Sequence, residues 1–272
     1  MDRTVIGAVI RKDLRVAARN RGVRIPLLVA PTLLVVVVPA FLVLGGELLG
    51  AGTVSRAAAD DAAPFQTFIP ALMEANGDEP ITWARLVLEY LIAPLYLLVP
   101  LVVSTVLAAD AFAGERERRT LEALLHTASS DRDLFLGKLL AAYLPAVASS
   151  WLAFVVYAAV ANLLGATSGG ADRFPTPTWV LLAFWVAPAV SLLGIGLMVG
   201  ISSRVRSLQA AHQIGSLLVL PFLLLLVAQV TGMMVVEAAT MLAFGALLWV
   251  GGGLVLLVNL RTFDRDAITS RL

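Results

Sequence analysis

Long apolar stretches alternate with short polar ones along this 272-residue chain. About 20 apolar residues let a helix cross the hydrocarbon of a bilayer. Six stretches reach that length: Ile25–Leu48, Leu86–Ala109, Leu139–Leu164, Trp179–Ile201, Ile214–Val236 and Ala238–Leu260. Their apolar residues run continuously rather than in strict alternation. Only helices and closed barrels satisfy every backbone polar group in lipid, and continuous runs of this length predict helices. The expected fold class is an all-α integral membrane protein, with six transmembrane helices in one membrane domain over residues 1–272. Prolines 31, 39, 94, 100, 145, 188 and 221 fall within the runs and predict kinks.

The polar stretches have patterns of their own. At 100° per residue, Val5, Ile6, Val9, Ile10, Leu14, Val16 and Ala17 share one broad face, and Arg11, Lys12, Arg15 and Arg19 the other. Residues 1–24 are thus expected to hold an amphipathic helix lying on the membrane surface, its basic side toward anionic headgroups. Asp13 falls on the apolar face, so a basic partner on a neighbouring element is expected for it. Residues 49–85 form the largest predicted external loop, with a short interfacial helix near Phe65–Met73. Glycines and prolines over 168–177 predict a turn. The first apolar run is longer than the 7–15 residues typical of a signal-peptide core. It is therefore expected to remain in the protein as a span.

Charge orients these elements. Cytoplasmic loops of membrane proteins carry an excess of Lys and Arg. Seventeen of the 20 fall in the amino-terminal segment, the second-to-third connection, the fourth-to-fifth connection and the tail. The opposite side has only Arg56, Arg85 and Arg173. The split predicts a multi-pass plasma-membrane protein with both termini cytoplasmic. A net charge of +1 offers no basic excess for nucleic acid. The absence of cysteine excludes disulfides, thiolate metal sites and cysteine nucleophiles.

Candidate chemistry within the spans is sparse. Glu47, Glu89 and Glu237 lie near the predicted outer ends, and no ionisable residue lies mid-span. Ion-gradient coupling usually relies on such residues. Their absence argues against ion-gradient coupling; a gradient-driven carrier or channel stands as the alternative reading, since hydroxyls and carbonyls can also bind an ion. Ser104, Thr105, Ser149, Ser150, Asn162, Ser191, Gln229 and Asn259 are expected mostly to hydrogen-bond between helices. Gly196, Gly200 and Gly251–Gly253 are expected to permit close helix packing. His126 and His212 stand in no metal-binding motif, and no catalytic, metal or cofactor site is expected. Gly137-Lys138 is not a phosphate-binding loop: the earlier glycine is missing and Leu139 follows the lysine.

One polar stretch stands apart. Residues 110–138 read DAFAGERERRTLEALLHTASSDRDLFLGK. Glu115, Arg116, Glu117, Arg118, Arg119 and Glu122 crowd eight residues of a chain only 14% charged. Such density cannot lie in hydrocarbon. Leu121, Leu124, Leu125 and Ala128 recur at helical spacing as one narrow apolar stripe. Ser130 is the expected cap of the next helix, with Asp133 three residues on.

The run from Gly114 to Lys138 resembles the signature of type-2 ABC exporter permeases. Gly114, Glu115, Glu117, Arg118, Thr120, Leu121, Glu122, Leu124, Leu125, Thr127, Ser130, Gly137 and Lys138 match it; Ala128 stands where proline is usual and Asp133 where glutamate is. Residues 11–22, RKDLRVAARNRG, are similar to the family's amino-terminal cytoplasmic helix. The resemblance implies a non-catalytic permease whose segment 110–138 holds a coupling helix. A separate ATP-binding-cassette ATPase subunit would dock on Glu115, Arg116, Glu117, Arg118, Arg119, Thr120, Leu121, Glu122, Leu124, Leu125 and His126. ATP and Mg would be bound by that partner. A second permease copy or a related permease would complete the path, and export of an unidentified substrate is the implied direction.

Overall fold

The computed structural model describes residues 3–54, 67–75, 81–117, 131–167, 174–205, 207–231 and 238–262. An amino-terminal helix, α1, spans Arg3–Arg19. Six helices long and apolar enough to cross a membrane follow. They are span 1 (Arg21–Leu48), span 2 (Trp83–Gly114), span 3 (Asp133–Ala166), span 4 (Pro177–Ser202), span 5 (Leu208–Val230) and span 6 (Ala238–Arg261). The protein is thus an all-α membrane protein with six candidate spans. Span 5 begins two turns before its apolar run does. Ser207 caps it, its hydroxyl accepting from the Ala210 amide at 3.2 Å, and Gln209 and His212 keep these turns too polar to count as an apolar run. The predicted stretch 232–236 of span 5 lies outside the described residues.

Span 2 is the centre of the bundle. Its apolar window is 83% buried, against 17% for spans 1 and 5 and 22% for span 6. Phe41, Leu224 and Leu247 on those outer spans are exposed apolar side chains that need apolar surroundings. The loop after span 1 returns as a two-residue antiparallel ladder, Thr53 opposite Thr82 and Val54 opposite Ile81. A helix at Phe68–Ala75 stands close to the predicted interfacial helix. It packs on protein instead: Phe68 and Leu72 are fully buried, and Phe68 meets the Tyr90 ring edge-on at 6.4 Å.

Proline acts through widened turns. Among the described residues, three of the four π turns occupy Leu33–Val37, Leu86–Leu91 and Leu182–Val186. Each precedes a proline: Pro39, Pro94 or Pro188. The ring of proline crowds the carbonyl four residues back and supplies no N–H to it. For Pro94 that carbonyl is Tyr90, and Gln229 of span 5 donates to it at 2.9 Å. The two preceding carbonyls are also taken from other spans. The Tyr157 hydroxyl of span 3 donates to Leu88 at 2.6 Å, and the Trp179 indole of span 4 donates to Glu89 at 3.0 Å. Tyr157 stacks on Trp179 at 4.6 Å, and Phe174 meets Trp179 edge-on at 5.1 Å. Three spans therefore converge on three consecutive carbonyls of span 2, inside an aromatic cluster.

Close packing of spans 4 and 6 rests on glycine. A Cβ on Gly252 would come within 3.0 Å of the Leu193 nitrogen, and one on Gly196 within 3.0 Å of the Val255 side chain. The expected interhelical role of span polar groups is corrected for the hydroxyls. Ser104, Thr105, Ser149, Ser150 and Ser191 each donate to a carbonyl three or four residues back in their own helix. A hydroxyl on a short stem reaches that carbonyl most easily. The longer amides bridge: Gln229 to Tyr90, Asn259 to Gly196 at 2.7 Å, and Asn162 to Phe174 at 2.9 Å.

Candidate functional site

The site begins where span 2 leaves its apolar core. After Ala109 the helix widens into a π turn, Asp110–Gly114, and continues through Glu115–Glu117. α1, the first turns of span 3 and the start of span 5 gather around this exit. Arg11, Lys12, Arg15, Arg19, Arg24 and Arg204 lie at this same basic end of the bundle.

Glu115 holds the exit in place. It is only 7% exposed. One carboxylate oxygen accepts from Lys12 of α1 and the other from Lys138 of span 3. Lys138 is itself fully buried, which an ammonium tolerates only when its protons are taken. Its other contacts supply that: the Ala111 carbonyl at 2.9 Å, and the Phe112 ring at 5.7 Å. Asp13 completes the cluster, 3.4 Å from Lys12 and 3.8 Å from Lys138. The basic partner expected for Asp13 is thus found in span 3, and a second one beside it on α1. Two ammonium groups, the exposed Lys12 and the buried Lys138, face two carboxylates, so the charges of the cluster balance.

The balance is uneven within the cluster. Burial raises the Asp13 pKa above its ordinary 3.8, Lys138 and Lys12 work against this, and Glu115 adds to it. Glu115 takes both short hydrogen bonds, and Asp13 keeps the longer contacts. Lys12 moves the other way for its class. Burial opposes its charge, but the hydrogen bond and charge of Glu115, with help from Asp13, outweigh that and raise its pKa.

Local sequence explains how these groups meet. Gly137 lets α1 approach span 3: a Cβ there would stand 3.0 Å from the Val9 Cβ. Phe112 and Phe135 pack at 5.9 Å beneath the ions. Asn20 caps span 1 through its side-chain oxygen, which accepts from the Gly22 amide at 3.0 Å. Its nitrogen donates to Asp110 at 3.0 Å, tying the start of span 1 to the exit of span 2. A cavity of about 140 Å³ opens beside the ions, with Asp13, Asp110 and Glu115 on its polar wall and Val16 and Leu107 on its apolar wall.

Glu117 points elsewhere. It is exposed, and its carboxylate accepts from the Leu208 amide at 2.7 Å, the first helical residue of span 5. Ser207 and Glu117 therefore satisfy two of the free N–H groups at that helix end, one from within and one from 91 residues away.

A comparison with known families identifies the fold's relatives. The sequence profile of ABC-2 family transporter proteins matches residues 7–260. The chain belongs to the ABC-2 transporter family. No curated protein matches it significantly. The permease places its signature residues unequally. Glu115 and Lys138 form the buried pair, and Gly137 is the close-approach glycine beside it. Asp133, expected near a cap, is buried in the first turn of span 3. The backbone of Arg116 continues the helical turn. Arg118, Arg119, Thr120, Leu121, Glu122, Leu124, Leu125, His126 and Ser130 lie outside the described residues.

Sequence reasoning missed Lys12, Asn20, Asp110 and Phe112 as members of this site. The oddly placed Asp13 was the signal for an ionic partner. Nothing in the linear sequence marks Asn20 or Leu208 as partners of residues about 90 positions away.

Proposed function

We propose that this permease is the membrane subunit of an ATP-driven exporter. A separate ATP-binding-cassette subunit, which binds ATP and Mg, docks on the charged segment from Arg116 to His126. Leu121, Leu124 and Leu125 serve as its apolar anchors, and Arg116, Arg118, Arg119 and Glu122 provide complementary charge. The basic end of the bundle faces the cytoplasm, with both termini, in the plasma membrane. Two copies of this chain, or this chain and a related permease, line the path.

The observation that carries the reading is the way the two ends of the charged segment are joined. Glu115, at its start, and Lys138, at the end of the 110–138 stretch that contains it, form one buried ion pair. Beyond Lys138 the helix runs unbroken, 37 residues in all from Asp131 to Thr167. A push on the segment therefore enters a rigid element that crosses the whole bundle. Membership of a family whose permeases generally work with ATP-binding-cassette partners supports an ATPase as the source of that push.

Co-purification tests it. The tagged permease, co-expressed with a candidate ATP-binding-cassette ATPase, is expected to retain that ATPase in mild detergent. The Arg118→Glu, Arg119→Glu variant should lose most of it. Full retention and full transport by that variant would remove the docking role. Transport by the purified permease alone, driven by an ion gradient in liposomes, would overturn the ATP-driven reading altogether.

A further inference from the structure

We propose that Glu117 is a positioning residue that drives span 5, giving the charged segment a second output besides span 3. The inference rests on the ATPase-coupled reading above and adds the route by which movement reaches a second helix.

Glu115 and Glu117 are two residues apart on one helical turn, so they project about 200° apart. Glu115 reaches inward to span 3 and α1. Glu117 reaches the amide of Leu208. The exit of span 2 is thus gripped from opposite sides by different helices. A carboxylate at a helix amino terminus is attracted by both the free N–H groups and the helix dipole. It is a directional contact that follows the helix end when either partner moves.

Span 5 is suited to respond. Only 17% of its apolar window is buried, so little packing holds it against the bundle. Its far end is pinned by the Gln229 hydrogen bond to Tyr90 at 2.9 Å, in the aromatic cluster. Leu208 and Gln229 lie about 31 Å apart along the helix at 1.5 Å per residue, roughly the thickness of the hydrocarbon. Span 5 is a lever with a polar pin at one end and a polar tether at the other. Movement of Glu117 swings its basic end about the Gln229 pin.

The chain contains no cysteine, so introduced cysteines can carry spin labels cleanly. Labels at Gln213 and Val258, both exposed, report the basic end of span 5. Labels at Leu144 and Val258 report span 3. In nanodiscs with the ATPase bound, ATP is expected to shift both distances in the otherwise unchanged chain. In complexes that retain the ATPase, Glu117→Ala should keep the span 3 shift, lose the span 5 shift and transport several-fold less per ATP. Glu117→Gln, which keeps an acceptor, should recover part of the span 5 shift. Adding Ser207→Asp to Glu117→Ala returns a carboxylate to the helix end at the local cap position, and should restore helix-end protection without restoring the shift. A span 5 shift unchanged in Glu117→Ala would overturn the proposal. So would a weakened ATPase complex with normal transport per ATP, which is the signature of a docking residue.

Hydrogen exchange on the permease alone separates this proposal from the reading beneath it. Exchange over residues 208–211 should rise about five- to tenfold in Glu117→Ala, the scale of a helix-end carboxylate. No rise would remove the tether whether or not an ATPase binds. A rise together with failure of the unchanged chain to bind any ATPase would sustain the tether and sink the ATP-driven reading.

Discussion

The two ends of span 2 satisfy buried polar groups in opposite ways. At the far end, the carbonyls of Leu88, Glu89 and Tyr90 accept from neutral donors on three other spans. At the basic end, Glu115 is held by two ammonium groups, one of them fully buried. Neutral bonds are each modest and spread over several helices, so one loss leaves the rest standing. A buried ion cluster is concentrated, and losing one member strands the others. The far end is built to stay assembled. The basic end stands or falls as a unit, and it lies where the charged segment begins.

The sharpest way to break this contrast is to remove one charge. Lys138→Met leaves Glu115 and Asp13 with a single ammonium between them. A loss of about 3–5 kcal/mol is expected, read as thermal unfolding in detergent. Replacing both partners, Glu115→Leu with Lys138→Met, should cost far less than the sum of the single changes, because no charge is stranded. If the double change were simply additive, the cluster would not be a unit.

The far end should yield less to a larger steric insult. A Cβ on Gly46 would stand 1.9 Å from the Trp83 indole nitrogen, which donates to the Leu42 carbonyl at 2.9 Å. Gly46→Ala is expected to displace Trp83 and cost about 1–3 kcal/mol, with a shift in tryptophan fluorescence as a second readout. Tyr157→Phe keeps the stacking on Trp179 and removes one neutral hydrogen bond. It should cost about 1 kcal/mol by the same unfolding measurement. A loss as large as that of Lys138→Met would erase the distinction between the two ends.

Asp13 offers the smallest and most specific effect. Its folded pKa lies above its ordinary 3.8, so its share of stability is fully present below that ordinary value. It is lost as pH rises through the folded value. Acidifying from pH 7 toward pH 4 should therefore stabilise the unchanged chain relative to Asp13→Asn. At pH 7 the two should differ by about 1 kcal/mol or less. A difference that moved the other way with pH would mean Asp13 is a net partner of the lysines rather than the excess carboxylate.

How much of this was legible varies by element. The spans were read from apolar runs because lipid exposure demands continuous apolarity, and all six were found. The start of span 5 was misplaced because Gln209, His212 and Gln213 interrupt the apolar residues of its first helical turns, and an apolar run cannot report them. The phenylalanine helix was recognised but its environment was not: an apolar stripe looks the same whether it meets lipid or span 2. Gly137 and Lys138 were legible as a matched pair of letters, yet their work was not. Gly137 acts on Val9, and Lys138 on Glu115.

The sequence alone determined that the chain is a six-span helical membrane protein with one strongly basic end and one charged connection. These features follow from local composition and periodicity, which the solvent reads directly. Only the tertiary structure decided that Lys12 meets Glu115 across 103 residues and that Glu117 meets Leu208 across 91. A charge announces that it needs a partner. Which partner it finds depends on how the helices pack, and that is set by shape: a missing Cβ at Gly137, a widened turn at Asp110, and a carbonyl left open by Pro94.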